Sequence, residues 1–163
     1  MRVLLPFLTV AILLISGCTN VFQSQTPVAN SISIGFNTEG VPLLGNEFEL
    51  TITYSGVTAD NVSFEIYVPE EFEIIDGDTS YIGEINDRTI RKIKLKALET
   101  GDFVISSYAC QDKEISGSDI HCELFGFSNL YVKVGTEDGQ FSTERPLGSS
   151  IPDIENRIMN EMK

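Results

Sequence analysis

The chain has 163 residues, with 24 Asp and Glu against 11 Lys and Arg and a formal charge of -13. That length accommodates one hydrophobic core, not two. The acidity excludes the phosphate backbone of a nucleic acid as a natural partner and disfavours lying flat on an anionic lipid surface.

The chain begins MRVLLPFLTVAILLISGC, with Arg2 followed by an apolar run from Val3 to Ile15 broken by Pro6 and Thr9. The run is shorter than the roughly 20 residues of a transmembrane helix. Basic start, apolar middle and small residues fit an export signal. Ser16 and Gly17 stand immediately before Cys18. This stretch resembles the lipobox of bacterial lipoproteins, with Ile15 where that family more often has Leu. The resemblance implies that Cys18 receives a diacylglyceryl group, that residues 1–17 are cleaved, and that Cys18 becomes the N-terminus. Two or three acyl chains, at about 0.8 kcal/mol per buried methylene, would make detachment from membrane lipid rare. Thr19 is not the Asp that retains such proteins at an inner membrane, so the outer membrane is favoured in a Gram-negative organism. A plain signal peptide with an incidental Cys, or an uncleaved signal anchor, are the alternatives.

Residues 18–30 read as the lipidated terminus and a short polar tether. From Ser31 the pattern changes to period two. Ile32, Ile34 and Phe36 share one face, and Gly40, Pro42 and Gly45 then punctuate a turn. EFELTITY alternates Phe48, Leu50, Ile52 and Tyr54 with Glu and Thr, which predicts a strand with one buried face. Val62, Phe64, Ile66 and Val68 repeat the signal until Pro69. Short strands are expected at Phe72–Ile75 and Tyr81–Ile85, around the turn Asp76-Gly77-Asp78. In TIRKIKLKA, Lys92, Lys94 and Lys96 occupy a wet face, which suits an exposed or edge strand; a polyanion site is the sharper alternative. Further strands are expected from Phe103 to Ala109, over NLYVKVG, and at Gln140–Thr143.

Seven or eight short strands without long helices between them predict an all-β, antiparallel sandwich over residues 31–145. With its VPEEFEII and ETGDFVI segments, the region resembles immunoglobulin-like modules of prokaryotic envelope proteins. The chain has no Trp, and its cysteines are not spaced for the inter-sheet bridge of antibody domains. In residues 150–163, Ile151, Ile154, Ile158 and Met162 recur every three or four positions behind Ser150, which predicts a short C-terminal helix. It would dock on the sandwich or serve a partner.

With Cys18 lipidated, Cys110 and Cys122 remain as a pair in an oxidising compartment. A bridge around QDKEISGSDIH would contribute about 3 kcal/mol in the chain-entropy model. His121, with Asp119 and Cys122 nearby, could act in a hydrolase, but adjacent His and Cys lack the spacing of structural zinc ligands. Asp76 and Asp78, Asp60 and Asn61, and Glu137 and Asp138 offer oxygens suited to calcium without the spacing of a known calcium loop. No catalytic residue, metal or cofactor is therefore assigned. The expected protein is a lipid-anchored envelope module that binds an envelope protein or glycan without catalysis. A calcium-stabilised spacer and a hydrolase using His121 are the alternatives.

Overall fold

The computed structural model describes residues 31–116 and 119–146. The signal, Cys18, the tether and the helix expected at 150–163 lie outside these residues. Eleven strands run along the described chain. They are β1 (Ser33–Glu39), β2 (Glu47–Ser55), β3 (Ala59–Tyr67), β4 (Phe72–Asp76), β5 (Ser80–Ile85) and β6 (Arg88–Ala97). Then come β7 (Gly101–Gln111), β8 (Glu114–Ser116), β9 (Asp119–His121), β10 (Phe125–Val134) and β11 (Gln140–Ser142).

Two antiparallel sheets pack face to face as an all-β sandwich. One has the order β1-β2-β6-β4, the other β11-β10-β7-β3-β5, and β8 and β9 form a separate hairpin. The alternation explains the layering. Phe48, Leu50, Ile52 and Tyr54 of β2 are buried, as are Val62, Phe64 and Ile66 of β3. Ile93 and Leu95 of β6 and Leu130, Val132 and Val134 of β10 complete the same core. Each large side chain fully buried here contributes about 1.5–3 kcal/mol. Aromatic edges order the ends: Phe48 meets Phe72 at 5.9 Å and Phe141 at 5.2 Å between ring centroids. Edge-to-face geometry of this kind suits the ring quadrupole.

Two local details set the relative positions of the strands. At Gly77, in the β4–β5 turn, φ is +98° and a Cβ would stand 2.5 Å from the carbonyl oxygen of Lys92. The turn can therefore lean on β6 only because glycine is there. Across the core, the Tyr54 and Ser107 hydroxyls bond at 2.6 Å, linking β2 of one sheet to β7 of the other. Ser107 also donates to the Glu65 carbonyl at 3.2 Å.

Of the exposed or edge placement expected for the lysine strand, the structure shows an exposed face but not an edge. β6 lies between β2 and β4. Its lysines are wet, as expected, but neutralised by neighbouring strands: Lys92 pairs with Glu49, Lys94 with Glu47 and Lys96 with Glu73. Cross-strand charge pairing suits an interior strand with one solvated face, and it leaves these lysines engaged rather than gathered for a polyanion.

Replacing Tyr54 by Phe removes the inter-sheet bond while keeping the ring against Phe64, 4.5 Å away between centroids. The expected loss is about 1–2 kcal/mol in urea unfolding, with an unchanged m-value.

Candidate functional site

β7 carries side chains of interest on its outward face. Register places Tyr108 between Glu65 of β3 and Phe127 of β10, and Cys110 between Ser63 and Phe125. Tyr67 stacks on Tyr108 at 5.9 Å, and Phe125 lies tilted 6.4 Å from it on the other side. An aromatic row thus crosses three adjacent strands.

A polar network is set into this row. Lys113 Nζ donates to Glu65 Oε1 and to the Tyr108 hydroxyl, each at 2.7 Å. The Tyr67 hydroxyl donates to Glu65 Oε2 at 3.4 Å. Burial alone would push the Glu65 carboxyl up, but the bonds from Lys113, Tyr108 and Tyr67 and the lysine charge outweigh it, so the carboxyl is held below its ordinary range. Burial first, then the adjacent carboxylate, push the Tyr108 phenol far upwards. The phenol is therefore a fixed neutral partner, unsuited to acid–base work near neutrality.

Lys113 is delivered to this network by a local device. Cys110 and Cys122 form a disulfide with Cα atoms 5.3 Å apart, the pairing that the cysteine count suggests. It closes the base of the β8–β9 hairpin, and Asn61, at φ 53°, donates to Asp112 Oδ1 at 2.7 Å beside it. His121 ends β9, exposed and opposite Glu114. The acidic pairs considered for calcium lie apart, Asp60 and Asn61 within β3 and Asp76 and Asp78 at the β4–β5 connection, and Asp138 pairs with Lys133 at 3.7 Å. Among the described residues, no group of three or more His, Cys, Asp or Glu could hold a metal ion.

The other place of interest is the flank formed by β5 and the start of β6. The Arg91 guanidinium sits 3.1 Å from the centroid of the Tyr81 ring. Cation–π contact supports it, while its Nε is buried and, among the described residues, without a hydrogen-bond partner. Tyr81, Gly83, Glu84, Asn86, Thr89, Ile90 and Arg91 line an open cleft of about 420 Å³. Of its lining, Ile90 is 45% exposed; outside it, Ile74 and Ile75 of β4 are 45% and 40% exposed, and Ile82, opposite Ser63 on the outer face of β5, is 66% exposed. The alternation pattern locates short strands at Phe72–Ile75 and Tyr81–Ile85 but assigns neither a face, so it does not flag this flank.

No family model matches the chain, and no curated protein matches it. Among solved structures, it is similar to the crystal structure of the cupredoxin domain of amoB from Nitrosocaldus yellowstonii. The TM-score is 0.37 with 18% identity, over 66% of this chain and 65% of that one, so the chain spans just under two thirds of that structure.

The depressed Glu65 carboxyl sets a sign for pH dependence. Its contribution is complete above the ordinary glutamate value of about 4.3 and is lost as pH falls through the lower folded value. Wild type should therefore exceed Glu65→Gln in melting temperature near neutrality. The gap should close on acidification below that ordinary value, measured by thermal unfolding across pH.

Proposed function

We propose that this chain is a lipid-anchored envelope protein whose sandwich is a non-catalytic binding module for another protein. The observation that carries the reading is the edge strand β5, whose Ile82 is 66% exposed on the outer face of the five-stranded sheet. Edge strands are ordinarily guarded by Lys, Pro or a covering loop. β5 reads SYIGEI and contains neither residue. An extended segment of a partner can add to such an edge through its backbone, with isoleucines supplying the contact area. Aliphatic side chains of this kind suit a protein surface better than a glycan, whose sugars favour aromatic platforms and polar donors.

Further support comes from order and chemistry. β1-β2-β6-β4 against β10-β7-β3 follows the ABED and GFC order of a constant-type immunoglobulin domain, with β5 and β11 as added edges. In that order β2 and β7 are the strands bridged by cysteines in antibodies, and here the Tyr54–Ser107 bond links them. This supports an immunoglobulin-like reading without the antibody disulfide. The Cys110–Cys122 bridge agrees with export, and LLISGC with attachment through Cys18 to a membrane, the outer one in a Gram-negative cell.

Two measurements test this reading. Cys18→Ala should abolish incorporation of labelled palmitate and move the protein out of the membrane fraction; unchanged fractionation would sink the anchor. Ile82→Asp should abolish capture of an envelope protein that the wild type recovers from intact cells, while its melting temperature stays within about 2 °C. Equal capture by Ile82→Asp and wild type would overturn the β5 surface.

A further inference from the structure

Five lysines of the described chain are paired with carboxylates, but among the described residues Arg91 is paired with none. Alternation along β6 explains the difference. Lys92, Lys94 and Lys96 face water. Arg91 falls instead in the series of Ile93, Leu95 and Ala97, which face the other sheet and are buried, and it stands opposite buried Ile52 of β2. A cation at the end of a core face costs desolvation unless its donors find acceptors. Its Nε is buried without one among the described residues.

The cleft that Arg91 lines opens at the side of the sandwich, between β5 of one sheet and β6 of the other. Tyr81 pairs with Phe64 and Gly83 with Val62, and both partners in β3 are buried, so Tyr81 and Gly83 share the inner side of β5. Tyr81 stacks on Phe64 at 5.6 Å, and a Cβ at Gly83 would collide with the Tyr81 ring and hydroxyl. The ring therefore lies back along β5, and the Arg91 guanidinium rests 3.1 Å from its centroid. Stacking of this kind holds the guanidinium plane without consuming its N–H donors. Glu84 alternates to the outer side with Ile82, and its Oε2 accepts from Asn86 Nδ2 at 3.2 Å. The acid of the cleft is thus engaged elsewhere, and the arginine is oriented but uncompensated.

We propose that this cleft is a carboxylate-binding site, and that Arg91 anchors an Asp or Glu of the segment that adds to β5. The inference rests on the β5 reading and names the partner's chemistry. An added strand would lie about 4.8 Å from β5, with side chains alternating between its two sides. One side meets Ile82 on the outer face. The other turns inward beside Gly83, towards Arg91. The recognised pattern is therefore an acidic residue next to an apolar one, the acid inward and the apolar residue outward. Two N–H donors of one guanidinium can hold a carboxylate in parallel, which the point charge of a lysine does not reproduce. Because the chain carries a charge of -13, a single carboxylate in an apolar or basic segment fits better than an acidic run.

The test uses the full chain in detergent, with acetate as the probe. The Nε–H resonance of Arg91 and the amide resonances of Gly83 and Thr89 should shift saturably with acetate, and not with chloride at equal ionic strength. Arg91→Gln should abolish the amide shifts. Arg91→Lys, which keeps the charge and most of the stem, should weaken acetate binding at least about threefold. No saturable shift in the wild type, or wild-type affinity in either variant, would overturn the site. Acetate needs no strand at β5, so these shifts report on the site whether or not the β5 surface holds. For the occupant, a folded Arg91→Lys chain should recover at least about tenfold less of the partner that wild type captures and Ile82→Asp does not. Equal recovery would overturn Arg91 as the anchor while leaving the β5 surface standing. Capture by Ile82→Asp equal to wild type would instead overturn the strand as occupant, with the acetate shifts still deciding the site.

Discussion

The hydrogen bond between Tyr54 and Ser107 lies inside a core otherwise built from aliphatic and aromatic side chains. A buried hydroxyl without a partner costs about 1–3 kcal/mol, so two hydroxyls that satisfy each other penalise any slip between the sheets. The bond fixes β2 against β7, and Ser107 carries the constraint on to β3 through the Glu65 carbonyl. Phe64, from β3, packs on the Tyr54 ring and stacks with Tyr81 of β5. Arg91 of β6 then lies over Tyr81. One polar contact thus registers both sheets and, through two rings, the flank where a partner is proposed to dock.

From the same strand, the outward network is built as a consequence. Glu65 presents its carbonyl to the core and its carboxylate to Lys113. Fixing β3 for the inter-sheet bond therefore also fixes the anion that Lys113 must meet. The disulfide shortens the search, because it holds the loop that carries Lys113 close to the end of β7. Charge, staple and stacked tyrosines reinforce one another here, and a partly buried ion pair without such support would gain little against its desolvation.

Much of this was legible in the alternation of residues. EFELTITY and VSFEIY declare one buried face each, and both became core strands with that face inward. The cysteine pair was legible too, since with Cys18 expected to carry lipid, Cys110 and Cys122 were left as a pair. What the pattern missed has physical causes. ISSYAC alternates poorly because β7 is covered on both faces, so it could not reveal which side Tyr108 takes. Lys92, Lys94 and Lys96 look like an edge guard because a wet lysine face is the same on an edge or interior strand; only the glutamates opposite decide it. Phe125 to Ser128 do not read as strand, since Gly126 interrupts the pattern. That glycine is required by packing, because a Cβ there would stand 2.2 Å from the Ile32 carbonyl oxygen.

The ion pairs also bear on how the surface is met from outside. Lys92, Lys94, Lys96, Lys113 and Lys133 each have a carboxylate partner. With the lysines so engaged, the net charge of -13 leaves a surplus of acids, although along β5 and its connections Asp76, Asp78, Glu84 and Asp87 are joined by Arg88 and Arg91. A partner docking as proposed would meet this net negative field during encounter, an effect on rate that salt screens over about 8–10 Å. Exposed Ile82, insensitive to that screening, would then govern how long such a partner stays. Under that proposal, separate physical terms would set arrival and residence at one edge of the sandwich.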